Sequence, residues 1–478
     1  MFSPDGRHVA TAVDHRLVVR DAETLAVVSM SNCVDKIQHV AWSRDNDHVM
    51  AACYKRGVVQ LFSVSDDGWT CKIDEGPAGC AHARWSPSGV HVVTVADFGV
   101  RLSIWSLIDK SCIYVKAPKF EDGRGLDFSP DGRFLAMAER KGCKDAISVV
   151  DCESWVVASR FETATNDLQD ARWSPDSTSL AVRDSALDDA LYLYSPDGRM
   201  LHRYAPNNQP RAMGFKRLEW SPGGTLLAAG GYDERCRVLN HVTWKAFAEL
   251  PHPSRVVAPP TVAVYEEVEE MVAGRGSSNL ADRARVAGAG DIGQDATGDS
   301  SWWEDVWDGN DAGVEDKDPV AAAARRRADI AGGRVTARYV VRELPATLPA
   351  VKPDLFASEP KVGVSLSEWS ADDRFLATKN DAQPNVAWVW DMGTLELCAV
   401  LVQMEPVREM KWDPRAHRLV IVTGSERVYV WTPEGASFVQ IPLPEFRART
   451  VSWNPCGGEF ALGDKGTFCC AFMGEPQM

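Results

Sequence analysis

One short phrase recurs nine times along this chain of 478 residues: an aromatic residue, Ser-Pro or a variant of it, a turn rich in Asp and Gly, and an apolar run. The aromatic anchors of the nine copies are Phe2, Trp42, Trp85, Phe128, Trp173, Trp220, Trp369, Trp412 and Trp453. Successive anchors lie 40, 43, 43, 45, 47, 149, 43 and 41 residues apart. A fixed period of this length is typical of repeat architectures, in which each unit is stable only against its neighbours. The phrase therefore predicts one repetitive domain rather than several unrelated ones.

Each unit reads as four short strands. The strand that leads into the anchor, as in QHVAW ending at Trp42, is followed by a run such as HVATAV at residues 8–13. An alternating run such as RLSIW, ending at Trp105, and a further run such as TLAVVSM at residues 24–30 complete the set. Four antiparallel strands in a unit of about 40 to 45 residues are the pattern of one β-propeller blade. We therefore expect an all-β propeller of about nine degenerate blades.

The residue types of the phrase have physical reasons. A large aromatic side chain buries much apolar area between neighbouring blades. Pro ends the first strand, and Asp-Gly forms a tight hairpin turn.

The sequence favours a single ring, because only the 149-residue gap divides the repeats and only three units follow it. A seven-bladed ring with a partial second propeller is the alternative, since single rings typically have about four to eight blades.

The repeat predicts a division into three parts. Residues 1–250 hold blades one to six, residues 251–360 hold an insertion, and residues 361–478 hold blades seven to nine. The insertion begins and ends with strand-like runs at residues 261–270 and 334–344, which we expect to pair as an extension of the sixth blade. Between them, about residues 271–333 are rich in Ala, Gly, Asp and Ser, a composition typical of disorder.

The two ends of the repeat series are incomplete. The chain begins one residue before its first anchor, so the first blade lacks the inner strand that should lead into Phe2. The last unit, residues 449–472, supplies three strands. Propellers commonly close when an N-terminal strand completes the last blade. We therefore expect roughly 15 or more N-terminal residues to be missing, about the length of the absent strands and their turn.

The insertion is strongly acidic and contains one aromatic cluster. Residues 266–318 hold 15 Asp and Glu against four Lys and Arg, which accounts for 11 of the 15 surplus negative charges of the chain. Trp302, Trp303 and Trp307 lie among these acidic residues. Aromatic residues in such a segment form a docking motif for a basic or grooved partner. The alternative is a cluster that is free or packs against the side of the propeller.

The sequence does not contain the motifs of the common enzyme classes. It has no GxxxxGK[ST], HExxH or GxSxG, its twelve Cys form no CxxC pair, and its ten His show no ligand spacing. The net charge of −15 argues against a general nucleic-acid binder, and no apolar run approaches the roughly 18 to 20 residues of a membrane span. We therefore expect no catalysis, cofactor, metal, nucleic acid or membrane, and a cytoplasmic location.

At finer grain the chain resembles the WD repeat-containing protein eight family. The strings that carry the resemblance are YKRGVVQLFS from Tyr54, CKIDEGPAG from Cys71, RLSIWSL from Arg101, AERKGCKD from Ala138, RVLNHVTWK from Arg237 and ATKNDAQPNVAWVWD from Ala377. The resemblance covers most of the chain apart from the acidic insertion. The absence of a short leader before the first anchor departs from the family pattern, and a Trp-Asp dipeptide ends a blade only at Trp390-Asp391.

The resemblance implies a non-catalytic scaffold at centrosomes, centriolar satellites or spindle poles. Such a scaffold anchors microtubule minus ends and supports spindle and cilium assembly. The implied partner is a coiled-coil centrosomal protein resembling afadin- and alpha-actinin-binding protein, with a minus-end-directed kinesin or the gamma-tubulin complex as further partners.

Charged residues in the family-like strings are the candidate partner-binding residues, because charges with a few apolar anchors suit a coiled-coil helix. The nine charged candidates are Lys55, Arg56, Lys72, Asp74, Glu75, Arg140, Lys141, Lys144 and Asp145. The three Trp of the acidic loop, Trp302, Trp303 and Trp307, are also candidates. The alternative is that the charges in these turns order the blades.

The repeat phrase also occurs in two classes of protein that have other functions. Translation-initiation factors contain propeller subunits with many similar units, and co-purification with ribosomal subunits would favour that function. TolB-like proteins and prolyl-oligopeptidase-type peptidases contain them too, but no segment here is left to build a hydrolase domain. An accessory propeller of a hydrolase is therefore the third hypothesis.

Overall fold

Nine of the ten sheets among the described residues follow one another as blades, and the strands of each blade are antiparallel. The computed structural model describes residues 1–206, 213–257, 261–273, 333–354 and 360–474. Within these ranges the helical segments are three 3₁₀ turns, Tyr54–Arg56, Gly76–Ala78 and Asp97–Gly99, and no helix has the length and hydropathy of a membrane span. From blade 2 to blade 9, the first strands of neighbouring blades contact one another at most junctions, so these strands form the inner wall of the propeller.

The first three blades contain strands β1 to β11. Blade 1 consists of β1 (His8–Val13), β2 (Arg16–Asp21) and β3 (Val27–Asn32). Blade 2 consists of β4 (His39–Trp42), β5 (His48–Cys53), β6 (Val58–Ser63) and β7 (Thr70–Asp74). Blade 3 consists of β8 (His82–Trp85), β9 (His91–Val95), β10 (Arg101–Ser106) and β11 (Cys112–Lys116).

The next three blades have four strands each. Blade 4 consists of β12 (Leu126–Phe128), β13 (Phe134–Lys141), β14 (Lys144–Asp151) and β15 (Val157–Glu162). Blade 5 consists of β16 (Asp170–Trp173), β17 (Leu180–Arg183), β18 (Leu191–Tyr194) and β19 (Met200–Tyr204). Blade 6 consists of β20 (Phe215–Trp220), β21 (Leu226–Gly231), β22 (Arg235–Asn240) and β23 (Ala246–Pro251).

The insertion and the last three blades complete the chain. The described parts of the insertion contain β24 (Arg255–Val256), β25 (Ala263–Ala273), β26 (Gly333–Arg342) and β27 (Ala346–Thr347). Blade 7 consists of β28 (Val364–Trp369), β29 (Phe375–Asn380), β30 (Val386–Asp391) and β31 (Glu396–Val402). Blade 8 consists of β32 (Glu409–Trp412), β33 (Leu419–Val422), β34 (Arg427–Thr432) and β35 (Gly435–Gln440). Blade 9 consists of β36 (Thr450–Trp453), β37 (Glu459–Gly463) and β38 (Phe468–Phe472).

The anchor tryptophans join each blade to the one before it. The indole N–H of Trp412 donates to the main-chain oxygen of Glu368, the residue before the preceding anchor, at 2.9 Å. The same hydrogen bond recurs at 2.9 to 3.2 Å from six anchors, Trp42, Trp85, Trp173, Trp369, Trp412 and Trp453. Indole combines a large apolar surface with one donor, which explains why Trp predominates at this position.

The Ser of the phrase closes the turn that follows the anchor. In blade 4, the hydroxyl of Ser129 accepts the N–H of Phe134 at 2.9 Å and donates to the carboxylate of Asp131 at 2.5 Å. A Ser hydroxyl accepts the N–H five residues later in all of the first seven blades. The repeated Ser and Asp are therefore explained by turn geometry.

The apolar core is divided into layers between neighbouring blades. The described residues form nine clusters of buried apolar side chains, one for each pair of neighbouring blades. One cluster joins Phe2 and Val9 of blade 1 to Ala461 of blade 9. Because an open arc of nine blades has only eight junctions, this ninth layer closes the ring. The prediction of a single nine-bladed ring is confirmed, and the seven-bladed alternative is wrong.

The first and last blades have three strands each among the described residues. In blade 1 the inner strand is reduced to a bridge between Phe2 and Val9, and blade 9 ends at its third strand, β38.

The insertion strands pair with each other as predicted, but they extend blade 7 and not blade 6. Strands β25 and β26 form an antiparallel hairpin, and β25 pairs in parallel with β31, the outer strand of blade 7. Strand β25 also contacts blade 8. The buried carboxylate of Glu267 in β25 accepts hydrogen bonds from Arg427 of blade 8 at 2.6 Å and from the hydroxyl of Tyr429 of blade 8 at 2.9 Å. A buried carboxylate needs such partners, and blade 8 supplies them. This contact, together with the pairing of β25 and β31, attaches the hairpin to blades 7 and 8, which follow the insertion in the sequence.

A buried histidine at the root of the insertion joins blade 6 to blade 7. The Nδ1–H of His252 donates to the carbonyl of Glu234, so its Nε2 accepts the hydroxyl of Thr378 at 2.7 Å. Thr378 in turn accepts the indole N–H of Trp390 at 2.9 Å. Complete burial lowers the pKa of His252 to about 4, so the ring is neutral. The sequence pattern contains no signal for this histidine.

Candidate protein interaction face

The propeller has two faces because its strands alternate in direction. We call the upper face the surface made by the turns between the second and third strands and by the loops that lead to the next blade. In blades 2 to 5 it comprises residues 54–57, 75–81, 96–100, 117–125, 142–143, 163–169 and 184–190. All nine charged residues predicted to bind a partner lie in or beside these segments of blades 2 and 4. The opposite turns form the lower face.

The structure divides these nine residues into two groups. Glu75 and Asp145 are buried, with 3% and 1% of their surfaces exposed. The other seven are exposed on the upper face: Lys55, Arg56, Lys72, Asp74, Arg140, Lys141 and Lys144. Their part in binding stays a prediction.

Glu75 orders the junction between blades 2 and 3. Its carboxylate accepts hydrogen bonds from Thr94, from Arg101 at 2.8 Å, and from the indole of Trp105 at 2.9 Å. Burial alone would raise the pKa of Glu75, but the hydrogen bonds from Thr94 and Arg101 outweigh burial and lower the pKa below its usual value. The ionised carboxylate therefore fixes the loop that carries it against blade 3.

Asp145 plays a similar part between blades 3, 4 and 5. It accepts hydrogen bonds from the ammonium group of Lys119 at 3.0 Å and from the main-chain N–H of Leu168 at 2.6 Å. Lys119 also donates to Asp167 at 2.7 Å, and Arg140 pairs with the same carboxylate. Lys119, Arg140, Asp145 and Asp167 therefore form one ionic network, which ties together the upper-face loops of blades 3, 4 and 5.

Apolar side chains also stand out from this face. Phe98 in blade 3 is 90% exposed, Leu187 in blade 5 is 83% exposed, and Val100 is 62% exposed. Phe98 has φ 59°, a left-handed conformation that bulky residues rarely adopt. Its N–H donates to the carboxylate of Glu121 at 2.6 Å, which holds the turn in place. The sequence contains no signal that singles out these residues, because DFG and SALDD are typical only of turns.

Two histidines lie side by side on the first strands of blades 2 and 3. The rings of His39 and His82 stack with centroids 6.4 Å apart, and those of His39 and Tyr54 stack with centroids 6.3 Å apart. Burial, with the nearby positive charge of Arg84, lowers the pKa of His82 to about 4. Across the part of the chain that the structure describes, no group of three or more His, Cys, Asp and Glu side chains is arranged to hold a metal ion.

The predicted docking motif, Trp302, Trp303 and Trp307, lies outside the described residues.

A closed ring of blades with an anchor phrase at each first strand, and with the hydrogen-bonded series His252, Thr378 and Trp390 joining blade 6 to blade 7, defines a WD-repeat β-propeller. The mouse WD repeat-containing protein WRAP73 is 37% identical over 474 residues, which cover 99% of this chain and 93% of that protein. The chain belongs to the family of this WD repeat-containing protein. The narrower resemblance to the WD repeat-containing protein eight family stays a prediction.

More distant relatives share part of this similarity. An uncharacterized WD repeat-containing protein of Schizosaccharomyces pombe, C32H8.09, is 21% identical over 91% of this chain and 81% of its own length. A component of eukaryotic translation initiation factor 3 from Xenopus laevis is 22% identical over 42% of this chain and 30% of its own length. The β-propeller domain of Cps50 (Swd1) aligns over 53% of this chain and 86% of that chain, with a TM-score of 0.37 and 16% identity. No family model matches the sequence.

Proposed function

We propose that this protein is a non-catalytic scaffold that binds a coiled-coil protein on its upper face, in a centrosomal or spindle-pole complex that anchors microtubule minus ends and supports spindle and cilium assembly. The observation that carries the proposal is the exposed Phe98, held on a rigid turn in a left-handed conformation. A WD-repeat propeller is well suited to such a function, because its rigid ring presents many loops on one surface.

Phe98 has the properties of a binding anchor. A Phe that is 90% exposed gains nothing for folding from its ring, and its backbone conformation costs free energy. In a complex the same ring buries a large apolar area, and little conformational entropy is lost because the turn is already fixed. Large aromatic residues dominate the energy of many interfaces in this way. Leu187 supplies a second apolar contact on the same face.

The charges of the upper face suit a helix of a coiled coil. Lys55, Arg56 and Lys72 in blade 2 and Arg140, Lys141 and Lys144 in blade 4 are exposed, and these two blades flank the turn of Phe98. A coiled-coil helix carries an apolar stripe bordered by charged positions. We expect the stripe to contact Phe98 and Leu187 while acidic residues at its border pair with Lys55, Arg56 and Lys141.

The cellular setting of the proposal comes from the resemblance of the sequence to the WD repeat-containing protein eight family. It favours a partner resembling afadin- and alpha-actinin-binding protein, with a minus-end-directed kinesin or the gamma-tubulin complex in the same assembly. It also favours the centrosome, centriolar satellites or spindle pole as the location.

A second candidate is a propeller subunit of the translation-initiation type, which the similarity to the Xenopus initiation factor component favours. Affinity purification of the tagged chain from its own cells, followed by quantitative mass spectrometry, distinguishes the two. The proposal predicts enrichment of a coiled-coil centrosomal protein and of tubulin-complex components. Enrichment of ribosomal subunits without them would overturn it in favour of the second candidate.

A further inference from the structure

The outer strand of blade 1 carries no charged residue. This strand is β3, with the sequence VVSMSN, and it occupies the position of the fourth strand in the other blades. Three of its apolar side chains are exposed, Val27 at 53%, Val28 at 45% and Met30 at 63%. Among the described residues, β3 pairs with β2 on one side and with no strand on its outer side. Main-chain groups on an edge of this kind are available to a further strand.

The outer strands of the other blades are protected against such pairing. Strands β7, β11, β15, β19 and β23 each contain a Lys, Arg or Glu residue, and a charge on an edge strand opposes the addition of another strand. Strand β31 pairs with β25 of the insertion. Strand β35 is uncharged, but it lies against β26. Within the described part of the chain, β3 is therefore the outer strand with neither a charge nor a cover.

The register of blade 1 shows which main-chain groups of β3 face outwards. The N–H of Cys33 donates to the carbonyl of His15 at 2.7 Å, and the same register pairs Ser31 with Leu17. Hydrogen-bonded pairs alternate with non-bonded pairs along an antiparallel ladder. The N–H and C=O groups of Met30 and Asn32 therefore point away from β2, towards the open edge.

These groups are complementary to a second copy of the same strand. When two β3 strands lie antiparallel about a two-fold axis, Met30 can face Met30 of the second copy, and Val28 then faces Asn32. This register brings the outward main-chain groups of both copies together. It also places the exposed side chains of Val28 and Met30 beside those of the second copy, where apolar pairs across strands stabilise a sheet.

We propose that this protein forms a two-fold symmetric dimer in which the β3 strands of two copies pair antiparallel, with Met30 opposite Met30. The edge offers no charge that would select an acidic or basic segment, and β3 itself is an uncharged strand with the required pattern. One strand from each copy makes a small interface, so we expect a reversible dimer. The edge is separate from the upper face of blades 2 to 5, so the dimer presents two such faces.

Sedimentation velocity of the full chain measures this dimer directly. We expect the fraction of dimer to rise reversibly as the protein concentration is raised from about 1 to 300 µM. Hydrogen exchange of the Met30 and Asn32 amides should slow over the same range, because these groups then donate to the second copy.

A charge swap at Met30 tests the register. Met30→Lys places two Lys side chains opposite each other, so the dimer should be at least ten-fold weaker, and Met30→Glu should have the same effect. An equal mixture of the two variants should dimerise again, because each Lys then faces a Glu. The matched control is Met200→Lys on β19, the outer strand of blade 5, where a 49% exposed Met is replaced and the dimer should be unchanged.

Three results would overturn the proposal. One is a monomer at every concentration, including the case in which β3 pairs only with a strand of another protein. Another is a dimer that Met30→Lys weakens no more than Met200→Lys does. The third is a mixture of Met30→Lys and Met30→Glu that dimerises no better than either variant alone.

Discussion

The side-chain amide of Asn454 donates a hydrogen bond to the main-chain oxygen of Gly6 at 3.1 Å, across 448 residues of sequence. Asn454 follows the anchor of blade 9, and Gly6 lies in the corresponding turn of blade 1. Beside it, the thiol of Cys456 approaches the carbonyl of Asp5 at 3.5 Å. The first and last turns of the chain are therefore neighbours, and the ring closes through polar contacts as well as the apolar layer of Phe2.

Substitution of Gly6 tests this closure. A Cβ at Gly6 would lie 2.1 Å from Oδ1 of Asn454, and Gly6 has φ +75°. Gly89 in blade 3 has φ +73° and no atom within 4 Å of such a Cβ, so Gly89→Ala carries the backbone strain alone. That strain costs about 1 to 2 kcal/mol. We expect Gly6→Ala to lower the free energy of urea unfolding by at least about 1 kcal/mol more, as overpacking does.

Restoring space at the closure provides the control. In the double variant Gly6→Ala, Asn454→Ala, the clash is absent, and the loss should be smaller than the sum of the two single losses. Equal losses for Gly6→Ala and Gly89→Ala would contradict the closed ring.

The indole hydrogen bonds between blades give a second prediction. Trp412→Phe removes the donor to Glu368 and leaves a carbonyl without its partner, which should cost about 1 to 2 kcal/mol beyond the change in packing. Trp220 occupies the same position in blade 6, but its indole N–H has no acceptor among the described residues. Trp220→Phe is therefore expected to cost only the change in packing, without the additional loss for a hydrogen bond. The measurement is the urea midpoint of both variants, and similar losses at the two sites would show that the hydrogen bond contributes nothing.

The pH dependence of stability reports on His252. Burial lowers the pKa of this histidine from its ordinary value of 6.5 to about 4, so the folded protein binds the proton less readily than the unfolded chain. The contribution of neutral His252 is complete above about pH 6.5 and is lost as the pH falls towards 4. The loss between pH 7.5 and 4.5 should be on the order of 2 to 3 kcal/mol.

A matched pair of variants isolates this contribution. In His252→Gln the urea midpoint should change less between pH 7.5 and 4.5 than in the unsubstituted protein. His15 is exposed, and His15→Gln should keep the original pH dependence. An unchanged pH slope in His252→Gln would mean that the histidine does not titrate as its burial requires.

The period and the anchors were enough to predict the ring, because each anchor performs the same local task. Trp412 and its equivalents bury an aromatic surface and donate an indole hydrogen bond to the preceding blade. The same residue types therefore recur wherever this contact between blades recurs. The attachment of the insertion was not predictable in this way. It depends on the pairing of β25 with β31 and on the contact of Glu267 with Arg427 and Tyr429, which lie 160 and 162 residues away and belong to no repeated pattern.

The candidate face was predicted in outline and not in detail. The family-like strings led to the correct loops, but sequence alone does not tell a buried carboxylate from an exposed one. Glu75 and Asp145 are buried because their partners, Trp105 and Lys119, come from other strands and loops. Phe98 was missed for the opposite reason, since an aromatic residue in a turn is usually expected to pack inward.

The most direct test of the proposed function is the amount of coiled-coil partner that co-purifies with variants of the two faces. The double variant Phe98→Ser, Leu187→Ser removes both exposed apolar side chains of the upper face. The matched control is Ile108→Ser, Val242→Ser, which alters side chains that are 78% and 71% exposed on lower-face turns. The proposal predicts at least a ten-fold loss of partner for the first variant and no loss for the second, with equal thermal stability. Equal recovery of the partner with both variants would contradict it.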